Sequence, residues 1–276
     1  MAYIFNGRKF AENKEVELRE DAILQRQKGI KPKLVSILVG DDPAGNLYVG
    51  IKKKVGERVG VDVEIQKMKS DVEKRGLIKK INFLNTNRSV HGIMVQLPLP
   101  KRFSDEDREE IINSIEKEKD VDGMSDDSEF TTPLVKAVLY AIREASNIVR
   151  RIVDEEGLSV CVVGSNGFEG KKIVKTLKNV GYKVTGIDKE VNEFSSVTKK
   201  ADILISATGS PGIIGKKHVK KGAVVIDIGS PKGDVDFDEV KDIASFITPV
   251  PGGIGPITIV SLIENLVTSD SGRKIS

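Results

Sequence analysis

Short apolar runs alternate with longer amphipathic segments along most of this 276-residue chain. That alternation is typical of βα units, which assemble into parallel sheets. Strands are predicted over 34–39, 61–65, 92–95, 159–163, 183–187, 202–206 and 223–228. Helices are predicted over 47–59 and 72–85, from a cap at Ser104, from Pro133 to about Val153, and over 257–267. We therefore expect an α/β protein built on parallel sheets.

The alternation stops and starts again near residues 130–155, which indicates two domains, as the length also favours. We place an N-terminal α/β domain at residues 1–144 and a C-terminal Rossmann-like, dinucleotide-binding domain at residues 145–256. The last helix, in residues 257–276, is expected to return to the first domain and complete it.

The composition is that of an ordinary globular protein, with 31% charged and 39% hydrophobic residues and a net charge of +3. No apolar run approaches the roughly 18 residues that span a bilayer, and the N-terminus lacks a signal-peptide pattern. We therefore expect a cytoplasmic protein that does not bind membranes. The small net charge and the sparse aromatic residues argue against a nucleic-acid partner.

Cysteine and histidine are too scarce for several kinds of site. Cys161 is the single cysteine, which excludes an intrachain disulfide, and its apolar neighbours indicate a buried hydrophobic role. His91 and His218 are the only histidines, and we expect neither to be catalytic. No metal site is predicted.

A glycine turn follows the strand at 159–163. Gly164, Gly167 and Gly170 are spaced so that backbone N–H groups at a helix N-terminus could meet a pyrophosphate, although the match to G-x-G-x-x-G is partial. Asp188 ends the next strand, where such folds contact the adenosine ribose. Segment 207–212 follows a further strand, at the carboxyl edge where open α/β sheets bind ligands.

The segment from Thr248 to Thr258 contains three prolines and three glycines in eleven residues. Proline fixes φ and glycine admits close approach to the main chain, so the pattern indicates a rigid binding wall. A proline-rich linker is the alternative, but apolar elements frame the segment closely.

Two further patterns in the first half could carry chemistry. Tyr48 and Lys52 are four residues apart on a predicted helix and share a face. This arrangement is consistent with a proton-transfer group, and equally with a pair of surface residues without a catalytic role. Their position before the nucleotide domain argues against a short-chain dehydrogenase. Gln96 ends a strand before a proline turn, and segment 119–123 places two acids in a turn; both features are often structural.

Taken in order, four segments resemble the bifunctional methylenetetrahydrofolate dehydrogenase/cyclohydrolase family. They are 39–49 with Lys52, 92–100 (GIMVQLPLP), 119–123 (KDVDG) and 248–258 (TPVPGGIGPIT). The resemblance implies a catalytic, folate-binding first domain, an NADP-binding second domain, folate in the cleft between them, and a homodimer. It also implies oxidation of methylenetetrahydrofolate and hydrolysis of the product to 10-formyltetrahydrofolate, in one-carbon metabolism and purine biosynthesis.

The resemblance assigns catalytic roles to four residues. Lys52 matches the family's catalytic lysine and Gln96 the glutamine that partners it, while Tyr48 matches the tyrosine that packs on the pterin and Asp122 the acid that anchors it. Substrate contacts fall on Tyr48, Asn46, Gln96, Leu97, Pro98, Asp122, Pro251, Gly252, Gly253 and Pro256. Cofactor contacts fall on Gly164, Ser165, Asn166, Gly170, Asp188, Thr208, Gly209 and Ser230.

This chain departs from the family pattern in three places. Asn46 replaces a serine found in many members. The usual Gly-Arg-Ser of the phosphate turn is Gly164-Ser165-Asn166, so the arginine expected at the NADP 2′-phosphate is missing, and Asp188 adds negative charge there. These changes favour NAD, whereas Lys171, Lys172 and Lys189 offer replacement cations. We keep NADP as the expected cofactor and NAD as the alternative.

Three other functions remain open at this stage. A member with only one of the two activities would keep the fold and lose part of the site. A shikimate-type or amino-acid dehydrogenase would share the two-domain arrangement without needing the Pro/Gly segment. A nucleotide-sensing module without activity would have no need for the lysine, tyrosine and glutamine set.

Overall fold

The elements below come from a computed structural model, which describes residues 1–125, 127–149, 158–191 and 194–269. The strands are β1 (Tyr3–Ile4), β2 (Lys33–Val39), β3 (Asp62–Met68), β4 (Gly92–Val95), β5 (Ser159–Val163), β6 (Lys183–Ile187), β7 (Ile203–Ser206), β8 (Val224–Asp227) and β9 (Phe246–Ile247). The helices are α1 (Gly7–Gln27), α2 (Pro43–Val59), α3 (Lys74–Asn85), α4 (Asp105–Asn113), α5 (Pro133–Ile148), α6 (Phe168–Asn179), α7 (Ser195–Thr198), α8 (Phe237–Val240) and α9 (Ile254–Thr268).

These strands form two parallel sheets, which confirms the predicted α/β class. One sheet has three strands in the order β3-β2-β4, and the other has six in the order β1-β9-β8-β7-β5-β6. Every pairing between the named strands is parallel. In a parallel sheet all strands end at the same edge, so the loops that leave those ends lie side by side.

The chain divides into two compact units. The six-stranded unit consists of Met1–Ala11 and Leu134–Thr258, and the three-stranded unit consists of Glu12–Pro133 and the chain from Ile259. These bounds differ from the predicted 1–144 and 145–256. Residues 1–11 fall in the six-stranded unit because β1 pairs with β9, and residues 134–144 join them there.

Each unit has its own apolar core. In the three-stranded unit, alternate residues of β2 and β4, among them Val35, Ile37 and Ile93, pack with Leu77 and Ile81 of α3. These five side chains are fully buried. Since alternate residues of a strand face the same side, this packing fixes which side chains point away from the helix layer.

A second core lies in the six-stranded unit. Cys161, Val163, Leu204, Val225 and Ile247 all lie within it. Cys161 is 1% exposed, and burial raises the pKa of its thiol to about 11. The predicted hydrophobic role of this cysteine is confirmed.

Helix bounds differ from prediction mainly at their starts. Helix α2 begins at Pro43 rather than Leu47, because the Asp42 carboxylate caps it and proline is well suited to a first turn. Helix α9 begins at Ile254 rather than Ile257, so Pro256 lies in its first turn. The predicted cap at Ser104 is confirmed, with a complete capping box to Asp107. The predicted end of α5 near Val153 falls outside the described residues.

Three further elements, α1, β1 and β9, were not revealed by the sequence pattern. Helix α1 has 21 residues, and β1 and β9 have two residues each. Among the residues that the structure describes, none of the helices is both long and apolar enough to cross a bilayer.

Candidate active site and nucleotide-binding site

Helix α2 places Tyr48 and Lys52 one turn apart. The Asp42 carboxylate accepts a hydrogen bond from the N–H of Gly45 at 2.7 Å, which fixes the start of the helix, and Gly60 ends it with a φ of 92°. Only a residue without Cβ adopts such a φ readily. Both ends of the helix are therefore determined by local sequence, and the predicted shared face is present.

The Lys52 ammonium meets the Gln96 amide from the end of β4. Lys52 Nζ lies 3.0 Å from Gln96 Oε1 and 3.6 Å from the Met94 sulfur. Gln96 Nε2 donates to the carbonyl of Leu97 at 2.7 Å, so the amide is oriented with its oxygen toward the lysine. Gln96 is 9% exposed, and its own N–H donates to the Ile37 carbonyl. The lysine and glutamine named from the sequence thus form one pair.

Desolvation lowers the pKa of Lys52 below 10.5, and the negative charge of Asp122 opposes that shift. Burial disfavours the charged form of a lysine, while a carboxylate nearby favours it. Desolvation is the larger of the two effects. The pKa of Lys52 is therefore lower than that of an exposed lysine, so its neutral amine forms more readily and can accept a proton.

The turn that carries Asp122 is held from several sides. Gly123 has a φ of 65°, and a Cβ added there would lie 2.7 Å from the Phe130 carbonyl oxygen. Asn265 of α9 donates from Nδ2 to the carbonyls of Val121 and Thr131, at 2.8 and 2.9 Å. Sequence reasoning missed Asn265; an asparagine within an otherwise apolar helix was the available signal.

The first two charged residues of that turn, Lys119 and Asp120, have structural contacts. Lys119 Nζ donates to the carbonyls of three residues at the end of α3 and just beyond it, Leu84, Asn85 and Asn87. Asp120 is fully buried, and its Oδ2 accepts from the N–H and hydroxyl of Ser125 at 2.8 and 2.7 Å. Of the two acids in this turn, Asp122 is the partly exposed one.

Four other predicted substrate contacts lie near these residues in the sequence. Tyr48 is 40% exposed. Asn46 donates from Nδ2 to Asp41 Oδ1 at 3.0 Å and to the Asp42 carbonyl at 2.9 Å, so its amide belongs to the loop that starts α2. Leu97 and Pro98 are joined by a cis peptide bond, and Pro98 is exposed.

The Pro/Gly segment lies in the six-stranded unit and runs from the end of β9 into the start of α9. Val250 and Pro251 are joined by a cis peptide bond, and Gly252 has a φ of 105°. A Cβ added at Gly253 would lie 2.6 Å from the Pro249 carbonyl oxygen. The backbone path therefore requires glycine at both positions, as expected for a rigid segment. Pro256 belongs to the helix that follows.

The glycine turn after β5 is packed as a dinucleotide site requires. Gly164 has a φ of 87°, and a Cβ there would collide with the Ala207 carbonyl group. A Cβ at Gly170 would collide with the Gly164 carbonyl. Gly167 precedes the first residue of α6. Since the turn leads directly into a helix N-terminus, these residues fit the pyrophosphate of a dinucleotide.

Asp188 directs its carboxylate onto this turn. Asn166 donates its N–H to Oδ1 at 3.2 Å, and the Ser165 hydroxyl lies 3.5 Å from Oδ2. Lys189 Nζ donates to the Ser210 hydroxyl at 2.7 Å, so this cation lies between the ends of β6 and β7. The carboxylate and the lysine ammonium therefore have separate partners.

Two buried acids hold the other predicted cofactor segments. Thr208 N–H donates to Asp234 Oδ2 at 2.7 Å, and Gly229 N–H donates to Asp227 Oδ1 at 2.8 Å. Burial raises the pKa of Asp227. Gly209 has a φ of 60°. These acids fix the loop after β7 and the loop after β8 that contains Ser230, and sequence reasoning missed both.

The remaining groups considered from the sequence have other partners. His91 Nδ1 accepts from the N–H of Lys33 at 3.2 Å, and His218 Nδ1 accepts from the N–H of Gly215 at 3.0 Å. Lys172 lies over the Phe168 ring, 5.0 Å from its centre. Within the described part of the chain, no three His, Cys, Asp or Glu side chains are grouped so that they could hold a metal ion.

Comparison with known proteins identifies the family. Models of the tetrahydrofolate dehydrogenase/cyclohydrolase family match residues 5–122 with the catalytic domain and residues 144–274 with the NAD(P)-binding domain. The bifunctional protein FolD of Staphylococcus haemolyticus is 34% identical over 290 residues, with 99% of each chain covered.

Solved structures agree with this match. The bifunctional enzyme FolD (methylenetetrahydrofolate dehydrogenase/cyclohydrolase) from Campylobacter jejuni has a TM-score of 0.91 and 32% identity, covering 99% of this chain and 100% of that one. The Trypanosoma brucei methylenetetrahydrofolate dehydrogenase-cyclohydrolase, solved with NADP and an inhibitor, has a TM-score of 0.87 and 29% identity, covering 97% of each chain. The resemblance drawn from the motifs is thereby confirmed, and this chain belongs to the tetrahydrofolate dehydrogenase/cyclohydrolase family.

Proposed function

We propose that this protein oxidises 5,10-methylenetetrahydrofolate to 5,10-methenyltetrahydrofolate with NADP, and hydrolyses that product to 10-formyltetrahydrofolate. Family membership supports both activities. The observation that carries the proposal is the Lys52–Gln96 pair, in which a lysine of lowered pKa is held at 3.0 Å by an oriented amide. A nucleotide-sensing module would not require such a pair.

The binding of the folate ring is proposed for residues of the three-stranded unit. Asp122 would pair with the amino edge of the pterin through charge-assisted hydrogen bonds. Asn265 and Gly123 hold the turn that carries this carboxylate, which keeps it in position. Tyr48 would pack on the ring, and Asn46, Leu97 and Pro98 would complete the contacts. Pro251, Gly252, Gly253 and Pro256 are proposed as further substrate contacts.

In the oxidation, the methylene carbon loses a hydride and becomes a methenyl cation. Bound NADP supplies the hydride acceptor, and holding it against the carbon accounts for much of the rate. The residues proposed to hold the dinucleotide are Gly164, Ser165, Asn166, Gly170, Asp188, Thr208, Gly209 and Ser230. Lys52 and Gln96 would position the folate.

In the hydrolysis, water adds to the methenyl carbon and the bond from that carbon to N5 breaks. The Lys52 amine would take a proton from the attacking water, and N5 would gain a proton as the bond opens. One proton is released to solvent in the overall reaction. Gln96 Oε1 would keep Nζ in place between the two transfers, since positioned general acid–base groups act only within hydrogen-bond reach.

The choice of NADP over NAD is proposed to depend on Lys189. The acid at the end of the second strand of a Rossmann unit lies beside the adenosine ribose, and a cation there accommodates a 2′-phosphate. Asp188 has this position, but its oxygens face Ser165 and the Asn166 N–H, while Lys189 lies at the same edge. Without an arginine in the turn, discrimination against NAD should be weak.

An absorbance assay with methylenetetrahydrofolate, run in parallel with NADP and NAD, tests the proposal. Methenyltetrahydrofolate is supplied directly in a second arm to read hydrolysis alone. Turnover in both arms supports the bifunctional enzyme, and turnover in one arm indicates a member with a single activity. Nucleotide binding without turnover in either arm would indicate a sensing module. A homodimer is proposed on the family resemblance, and the mass in solution tests it.

A further inference from the structure

A basic cavity in the six-stranded unit is lined by none of the residues assigned above as folate or dinucleotide contacts, although Gly212 of the 207–212 segment lines it. Its volume is about 900 Å³, within the range of small-molecule sites. The cavity is lined by the 3-10 turn Lys216–His218, by Lys199 after α7, by Lys221, and by residues in and around α8. Ile213, Val219 and Ile243 supply apolar wall.

The lysines that line this cavity form no ion pairs with carboxylates among the described residues, unlike the neighbouring Lys220. Lys220 pairs with Asp202 at 2.6 Å, and it does not line the cavity. Within the described ranges, no carboxylate pairs with any of the lining lysines, which are Lys199, Lys216, Lys217 and Lys221. Unneutralised like charges around a concave surface create a positive potential that attracts anions.

The two acids in the lining are engaged by backbone groups. Asp236 Oδ1 accepts from the N–H of Glu239 at 3.2 Å as the cap of α8. Glu239 Oε2 accepts from the N–H of Lys216 at 3.2 Å. These carboxylates hold the cavity wall in place, and four lysines against two acids leave a net positive lining.

His218 adds an N–H donor to this positive lining. Its ring is 7% exposed and stacks on Phe194 with centroids 4.6 Å apart. Because Nδ1 accepts from the N–H of Gly215, the neutral ring carries its proton on Nε2. Among the described residues Nε2 has no acceptor, and it is not one of the fully buried polar atoms. The pKa of His218 is lowered by burial and by the charges of Lys217 and Lys199.

We propose that this cavity binds a small phosphate-bearing molecule, with the phosphate held by His218 Nε2–H and the lining lysines. The two negative charges of a phosphate would be attracted by the four lysines, and one of its oxygens would accept the hydrogen bond from His218 Nε2. The three apolar side chains would contact the uncharged part of the ligand. Nucleic acid is the less suitable partner, because the chain has a net charge of only +3 and few aromatic residues.

The two histidines of this chain give the test an internal control. The pKa of each is measured by NMR titration of the full-length protein in chloride, and again with inorganic phosphate at matched ionic strength. A bound dianion should raise the pKa of His218 by about 0.5 to 1 unit, since a nearby opposite charge favours the imidazolium. The pKa of His91 should not move.

Two double variants with the same charge change complete the experiment. Lys199→Ala with Lys217→Ala should remove most of the phosphate-induced shift, whereas Lys200→Ala with Lys220→Ala should keep it. The same pKa of His218 in chloride and in phosphate, an equal rise in the pKa of His91, or an equal loss of the shift in both double variants would each overturn the proposal. Tighter binding of a single-stranded oligonucleotide than of a phosphorylated small molecule such as glucose 6-phosphate would overturn the ligand class.

Discussion

Replacing Gln96 by glutamate tests whether the Lys52–Gln96 pair controls the pKa of Lys52, because it changes the charge at an atom of known position. Gln96 Oε1 lies 3.0 Å from Lys52 Nζ, so the substitution Gln96→Glu adds one negative charge at hydrogen-bond distance from the ammonium. An opposite charge this close raises the pKa of a lysine by about 1 to 3 units. Each unit reduces the neutral amine about tenfold at a pH below the pKa.

We therefore expect Gln96→Glu to slow methenyltetrahydrofolate hydrolysis at neutral pH by up to about 1,000-fold, with the rate recovering as pH rises. Gln96→Ala removes the acceptor without adding charge, so its rate should fall without the midpoint of its pH profile moving to higher pH. Lys52→Arg should show no recovery, since a guanidinium does not deprotonate in this range.

The assay is the initial rate of hydrolysis over a range of pH, corrected for the uncatalysed reaction. Glutamate also loses the bond that Gln96 Nε2 donates to Leu97, so unfolding by urea is measured alongside. A pH profile of Gln96→Glu that coincides with that of Gln96→Ala would refute the reasoning, because the added charge would then not reach the proton carrier.

Four further substitutions have outcomes that follow from the same geometry. Asp122→Asn should weaken folate binding in calorimetry and leave nucleotide binding intact; equal losses would mean that the residue is structural. Lys52→Met should stabilise the protein by roughly 0.5–2 kcal/mol in urea unfolding at neutral pH. The sign of this change follows from the lowered pKa of Lys52. The unfolded chain binds the proton more readily than the folded one, so wild-type stability rises with pH between the pKa of the folded state and 10.5. An unchanged urea midpoint in Lys52→Met would contradict this expectation. Ser165→Arg should sharpen the preference for NADP and make it more salt-dependent, and Lys189→Ala should weaken it without slowing the NAD reaction. Wild-type turnover much faster with NAD than with NADP would contradict the cofactor assignment.

Strand positions were the most predictable part of the fold. The predicted bounds of β4, β5 and β6 coincide with those observed, since each is a short apolar or β-branched run between turn residues. Strands β1 and β9 could not be predicted in this way, because two residues have no period and their pairing depends on the partner strand. In α1, exposed Val16, Ile23 and Leu24 obscure the apolar stripe that identifies a helix.

The site was predictable where neighbouring residues specify it. Tyr48 and Lys52 follow from helix spacing, and Gly164 and Gly170 follow from the strand-turn-helix pattern. The contact between Lys52 and Gln96 spans 44 positions, and it was expected only through the family resemblance. The bond from Asn265 to Val121 spans 144 positions, so no local pattern could reveal it.

Hydrolysis of methenyltetrahydrofolate by Lys52→Ala tests the central claim most directly. The matched control is Lys53→Ala, which removes the adjacent, exposed lysine of the same helix. If Lys52 carries the proton, the rate should fall by about 10²- to 10⁴-fold, equivalent to roughly 2.7–5.4 kcal/mol in the barrier, and the control should match wild type. A Lys52→Ala rate within about threefold of wild type would contradict the account, because a positioned acid–base group is worth far more than that.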